Sequence, residues 1–229
     1  MSKKGSKKRC LRLTGLTSFK EELNKIINLG DALKIEIKPE HEFYPQGYKN
    51  PTELQLNKCK LKTLAVGKAK ELQDWWLIKS GTTPVWDIVC EAEINGQAGL
   101  ILVEAKAHKI ELHEQDKSDA KELNRTQIKK ALKEVNSIFP DCNLSVDSHY
   151  QLANRFAWSW KLAEMGIPVV LIYLGFLNVE EWKDRFKDHE DWENILKNYN
   201  QTTVPNKYWG TEIKTNKASF YPIIRSYEI

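Results

Sequence analysis

The sequence predicts an α/β fold, and three observations carry that prediction. Asn95-Gly96 stands between two apolar runs, "VWDIVCEAEI" and "QAGLILVEAK", and both residues tolerate the positive φ of a tight hairpin turn. "IPVVLIYLGFL" is short, rich in Val and Ile, and lacks polar alternation, so it reads as a central strand covered on both faces. Between them, "HYQLANRFAWSWKLAEMG" repeats its apolar residues at helical spacing and ends on a glycine stop.

The remaining elements follow in order. "TSFKEELNKIINLG" has a capping-box pattern, Ser18 followed by Glu21, with Gly30 as its C-terminal stop. "ALKIEIK", from Ala32 to Lys38, alternates apolar and polar residues as a short strand does. Pro45, Gly47 and Pro51 mark a loop. A helix is expected from about Leu61 to Lys79, with Ala65, Ala69, Leu72 and Trp76 on its buried face. The hairpin comes next, then a polar excursion, "AHKIELHEQDKSDAKELNRTQ", and a helix over about Thr126 to Ile138 that Pro140 ends. The long helix spans roughly Val146 to Met165, with Leu152, Ala153, Phe156, Ala157, Trp160 and Ala163 as its core stripe. After the central strand, two helical stretches around Trp182 and Trp192 and a late strand, "SFYPIIRS", are expected.

Composition narrows the class. The 229 residues are 41% hydrophobic and 29% charged, enough for one real core under a polar surface. No apolar run reaches the roughly 18 residues that span a bilayer, and no signal-peptide core follows the basic start, so a cytoplasmic protein without a membrane partner is expected. Net charge is +4, and much of it sits in Lys3, Lys4, Lys7, Lys8, Arg9 and Arg12. A charge block at a chain end predicts a solvated, disordered tail over residues 1–15, with nonspecific phosphate contact as the alternative. Cys10, Cys59, Cys90 and Cys142 form no CxxC pair, and His108 and His113 are poorly spaced, which argues against a zinc or iron–sulfur site.

The hairpin holds the chemistry. With Asn95-Gly96 as the loop, Ile94 faces Gln97, and counting outward places Asp87 opposite Glu104 with side-chain bases about 5 Å apart. The strand period of two puts Lys106 on the same face. The other face, from Trp86 through Ile94 and from Gly99 through Ala105, is apolar or small. Two carboxylates at that separation repel by about 3 kcal/mol at an effective dielectric near 20. A hard divalent cation between them relieves the repulsion, and Mg²⁺ favours few carboxylates and several waters. The bland alternative is a solvated face on which Lys106 or another cation relieves each acid.

"PVWD" ending at Asp87, and "EAK" from Glu104 after the apolar lead "LILV", resemble the PD-(D/E)XK nuclease superfamily, with its restriction-endonuclease-like fold. In that family an aspartate ends one strand and Glu-x-Lys lies on the antiparallel neighbour, within a core of helix, three-stranded meander, helix and strand. The resemblance covers roughly Leu61 to Phe176, inside a single domain over residues 16–229 with a C-terminal helical extension over 178–229. Trp86 stands where the family's name has proline.

The resemblance implies metal-dependent cleavage of nucleic acid, DNA more often than RNA, with Mg²⁺ or Mn²⁺ held by Asp87, Glu104 and the Ala105 carbonyl, and Lys106 positioning a water. A homodimer is the usual route to two-strand cutting in this fold. Many members add an acid on the preceding helix; Glu71 is the first candidate and Asp74 the second. Some branches carry a Gln on the long helix beside the lysine, followed four residues on by Tyr. Gln151 matches the first, whereas Arg155 replaces the second. Arg155, Asn154 and His108 are therefore candidate substrate contacts. Because inactive members exist, a nucleic-acid-binding or assembly module on the same fold is the alternative. An unrelated enzyme or structural protein, with the trio a surface accident, ranks last.

Overall fold

The computed structural model describes residues 5–27, 33–58, 61–113 and 115–229. Gly30, Ala32 and Cys59, each named above, lie outside them. In chain order the elements are α1 (Ser6–Thr14), α2 (Phe19–Ile27), β1 (Ile35–Glu36), β2 (Phe43–Tyr44), β3 (Leu54–Gln55), α3 (Val66–Trp76), β4 (Val85–Trp86), β5 (Ile88–Ile94) and β6 (Gln97–Lys106). There follow α4 (Glu122–Ile138), α5 (Tyr150–Glu164), β7 (Val169–Phe176), α6 (His189–Asn200), β8 (Ile213–Lys214) and β9 (Ser219–Tyr227). The class is mixed α/β, as the sequence predicts. No helix among the described residues is long and apolar enough to cross a membrane.

The main sheet runs β1-β5-β6-β7-β9-β8, with β2 also on β5. Asn95 and Gly96 both have positive φ, 50° and 78°, and β5 pairs antiparallel with β6 from Ile94↔Gln97 to Ile88↔Val103, the expected register. β7 lies parallel to β6, and β9 lies parallel to β7. Strand alternation divides the core in two. Ile88, Cys90, Ile101, Val103, Val170 and Ile172 pack under α1 and α2. Val89, Leu100, Leu102, Leu171 and Tyr173 pack under α3, α4 and α5. The result is three layers, helices on both faces of one sheet.

Two expectations are corrected. Residues 6–14 are a helix and not a disordered tail. Arg9, Cys10, Leu11, Leu13 and Thr14 are buried, and Thr14 Oγ1 accepts the Gly47 N–H at 3.1 Å. The lysines dominate that segment's composition, but Cys10 and Leu13 are spaced to meet the core beside α2. Residues 178–229 are also not a helical extension. Only α6 is an α-helix there, the stretch around Trp182 is irregular, and β8 and β9 extend the main sheet. Pro222 is tolerated in β9 because β8 pairs only with Ser219 and Phe220, leaving the strand's outer edge without a strand partner at the proline.

Gly175 shows how closely the layers approach. A Cβ there would lie 2.6 Å from ring carbons of the buried Trp192 on α6. We expect Gly175→Ala to destabilise the fold by about 1–3 kcal/mol through overpacking. A urea midpoint equal to that of the wild type would contradict this packing.

Candidate active site

The β5–β6 ladder ends one pair before the acids. After Ile88↔Val103 the chain bends at Asp87, and β4 turns away to pair with β3. Asp87 therefore faces Glu104 from outside the ladder. Its Oδ2 accepts the Ala105 N–H at 2.8 Å, so a side chain takes the backbone donor that the departing strand leaves. The same bend puts Trp86 in the core beneath α3–α5, opposite to the side expected from simple alternation.

Glu104 is 1% exposed and Lys106 5% exposed, so the charged face of the hairpin is interior and not solvated. Lys106 Nζ donates to Glu104 Oε1 at 2.5 Å and to Gln151 Oε1 at 2.7 Å. Arg155 Nε donates to Glu104 Oε2 at 2.7 Å, and its Nη2 donates to the Val85 carbonyl at 2.6 Å. The guanidinium stacks 4.6 Å above the Trp86 ring, and Nη1 donates to Asn154 Oδ1 at 2.7 Å. Arg155 thus ties α5 to β4 and β6 together. Its hydrogen-bonding groups are engaged by Glu104, Val85 and Asn154, and both Arg155 and Asn154 border a chamber beside the site. Most of α5's polar face is enclosed, since Asn154, Arg155, Trp158 and Ser159 are buried along with the expected stripe, while Gln151 is half-buried at the cavity.

The two acids differ in their surroundings. Burial pushes Glu104 up, but Lys106 and Arg155 together outweigh burial and hold it below the usual glutamate range. Neither cation hydrogen-bonds Asp87; burial and then the Glu104 charge push it up to about 7, against the weaker pulls of Lys106, the Ala105 N–H and Arg155. Its edge remains half-exposed on a cavity of about 270 Å³.

That cavity also brings in residues that the sequence reading missed. Glu111, His113 and Asp116 come from the polar excursion after β6, Tyr199 from α6, and Ser6 from the start of α1. Glu111 is anchored by the Ala107 N–H at 2.6 Å and the Ser6 N–H at 3.1 Å. Asp116 Oδ2 accepts the Gln151 N–H at 2.6 Å, in the first turn of α5, where the helix dipole favours a carboxylate. The one signal in the sequence was the density of acids and histidines in "HKIELHEQDKSD"; no periodicity marks which of them turns inward.

Two other candidates fall elsewhere. Glu71 is exposed on α3, Asp74 is exposed and ion-paired with Lys70 at 2.6 Å, and neither lines the cavity. The buried stripe of Ala69, Leu72 and Trp76 turns those acids outward. His108 stacks on Trp182 with ring centroids 3.8 Å apart, and its Nδ1 lies 3.3 Å from Asp184 Oδ2. It packs against the segment after β7 and does not line the cavity.

Four carboxylates line the cavity, those of Asp87, Glu104, Glu111 and Asp116; the two cations nearest them, Lys106 and Arg155, are both committed to Glu104. Among the described residues, no three His, Cys, Asp or Glu side chains converge as a ready-made metal cage. The donors at hand are hard oxygens, from Asp87, Glu104 and the Ala105 carbonyl. They fit a cation that keeps most of its waters, Mg²⁺ or Mn²⁺, better than a transition metal that needs histidine or thiolate. Glu104 Oε1 accepts from Lys106 yet keeps a second lone pair for a cation. No family description, curated protein or solved structure matches this chain.

Two outcomes follow for the protein in EDTA. Arg155→Met should lower unfolding free energy by about 3–5 kcal/mol, because it leaves Glu104 buried with one cation fewer. Arg155→Lys should cost less; an unchanged denaturation midpoint in the Met variant would contradict the network. Asp87 is raised above its unfolded value, so its contribution is fully present below about pH 4 and is lost as pH rises toward about 7. Glu104 acts oppositely, losing its contribution as pH falls through its lowered value. Asp87→Asn should therefore flatten the decline in stability between pH 4 and 7 and stabilise the protein at pH 8. A slope equal to that of the wild type would sink this assignment.

Proposed function

We propose that the protein is a divalent-metal-dependent phosphodiesterase acting on nucleic acid, DNA in the first instance, as the resemblance to PD-(D/E)XK nucleases implies. One observation carries the reading most: Asp87, Glu104 and Lys106 converge on an open cavity that has a surplus of negative charge. A surplus carboxylate with its affinity for protons pushed up is a group short of a cation. The order α3, hairpin, α5, β7 supports the family reading, with β7 parallel to the Glu-x-Lys strand. The third antiparallel strand departs from the family pattern, because β1 and β2 precede α3.

Asp87, Glu104 and the Ala105 carbonyl would hold Mg²⁺ or Mn²⁺, which supplies a lowered pKa for water and neutralises charge on the phosphoryl oxygens. Lys106 holds its ammonium at the mouth of the same cavity and can orient the attacking water and face the charge that grows on phosphorus substituents. Gln151 fixes Lys106 from α5, so the lysine is aimed before substrate arrives. Arg155 keeps Glu104 ionised and in place from behind the cavity, bordering the neighbouring chamber instead.

A second reading has its own observation. Both Glu104 oxygens already accept from basic side chains, which is how a site that binds nucleic acid without a metal would look. Cleavage and metal uptake separate the two. With Mg²⁺ or Mn²⁺ the wild type should cut at least one of single-stranded DNA, duplex DNA or RNA, and EDTA should abolish cutting. Lys106→Ala should slow it by about a hundredfold or more, from the loss of one electrostatic group. If every substrate stays intact with the wild type, the nuclease reading fails. Calorimetry should show divalent uptake that Asp87→Asn abolishes; uptake equal in both proteins would place the cation elsewhere.

A further inference from the structure

The candidate active site does not end at its own cavity. Asp116 and Gln151 form walls of both the cavity and a second chamber of about 450 Å³. Thr82, Asp119 and Tyr150 are in turn shared between that chamber and a third of about 540 Å³. The three adjoin and form a track. It is bounded by the 79–85 segment on one side and the 116–124 segment on the other, with the start of α5 as its floor.

The chemistry along this track is mixed in a particular way. Tyr150 is half-buried and borders both outer chambers. Lys79, Lys117 and Lys121 are exposed along the walls, and Asp119 and Glu122 stand among them. The third chamber adds an apolar floor of Leu77 and Ile128. One wall is fixed in advance: Asn124 Oδ1 accepts the Ile78 and Lys79 N–H groups at 3.1 and 3.0 Å, and its Nδ2 donates to the Lys79 and Ser80 carbonyls. A preformed wall lowers the ordering cost of binding.

Aromatic faces and spaced lysines suit bases and phosphates in alternation, and carboxylates accept hydrogen bonds from exocyclic amino groups. Chambers of this size admit drug-sized groups, about one or two nucleotides each, and a base laid against Tyr150 has left its own duplex stack. We infer that this track binds an unpaired stretch of polynucleotide running away from the reacting phosphate, with Tyr150 as a stacking platform and Lys79, Lys117 and Lys121 as phosphate contacts. It rests on the nuclease reading only for which end of the track is reactive. The substrate class is thereby narrowed to single strands, or duplexes with frayed or overhanging ends.

Fluorescence anisotropy in EDTA, where binding is measured without cleavage, tests the track. The probes are DNA and RNA oligonucleotides about twenty nucleotides long, and a blunt DNA duplex of the same sequence. At least one single strand should bind about tenfold tighter than the duplex. The double variant Lys117→Glu/Lys121→Glu should weaken that binding about tenfold or more and reduce the salt slope by about 1.4, two phosphate contacts at ~0.7 each. Tyr150→Ala should also weaken it about tenfold, whereas Tyr150→Phe should bind as the wild type does. Both lysines are exposed, so the double variant decides the matter if Tyr150→Ala fails to fold. Equal binding of duplex and single strand, or variants that bind as tightly as the wild type, overturns the track. Absence of cleavage with Mg²⁺ alongside intact, lysine-dependent single-strand binding removes the nuclease reading and leaves the track standing. Cleavage whose KM is unchanged in the double variant does the reverse.

Discussion

Glu104 is a carboxylate in the interior of a three-layer protein, and an uncompensated charge there would cost several kcal/mol. Compensation comes from two directions. Lys106 reaches it from two residues along the same strand, and Arg155 reaches it from α5. Arg155 does more than neutralise. Its fork also holds the Val85 carbonyl and its plane covers Trp86, so one side chain fixes the spacing of helix, short strand and long strand. Lysine in its place would keep the charge without the fork.

That arrangement leaves Asp87 as the uncompensated partner. The strand pairing opens one residue before the acids would meet in a ladder, and the Ala105 N–H that is released goes to the Asp87 carboxylate. The opening creates the cavity, and the loop after β6 supplies two further acids to its rim. A local fault in sheet pairing and a concentration of negative charge are therefore one feature seen from two sides. Glu111 and Asp116 persist there because backbone N–H groups, at Ala107, Ser6 and Gln151, hold each of them.

Much of this was legible in the sequence, for reasons that can be traced. Asn95-Gly96 fixed the hairpin register, because few other pairs accept two positive φ values in succession. The double burial of β7 followed from its unbroken Val/Ile run. Glu104 and Lys106 share a face because the strand period leaves no alternative, and Asp87 faces Glu104 across the bend. What could not be read depended on tertiary partners. Arg155 reads as a substrate contact because nothing local says that its stretch of α5 is buried. Glu71 seemed to border the site, but its helix turns it to solvent. α1 was hidden behind its lysines, whereas β9 was legible as "SFYPIIRS" despite its proline, which the edge position excuses. Asp116 reaches the site through a loop, where no periodicity exists to read.

β7 owes its burial to chain that comes after it. Eight consecutive residues, Val169 to Phe176, lie between β6 and β9, and β9 ends only two residues before the last position of the sequence given. Without β9, β7 would be an edge strand of buried side chains whose backbone groups on that side lack a strand partner. A chain lacking β9 would therefore present an aggregation-prone edge and not a smaller working unit. Arg225 donates to the Ile27 carbonyl and Tyr227 to Glu22, so the first and last quarters of the chain also close on each other. β9 is thus the strand that closes the fold.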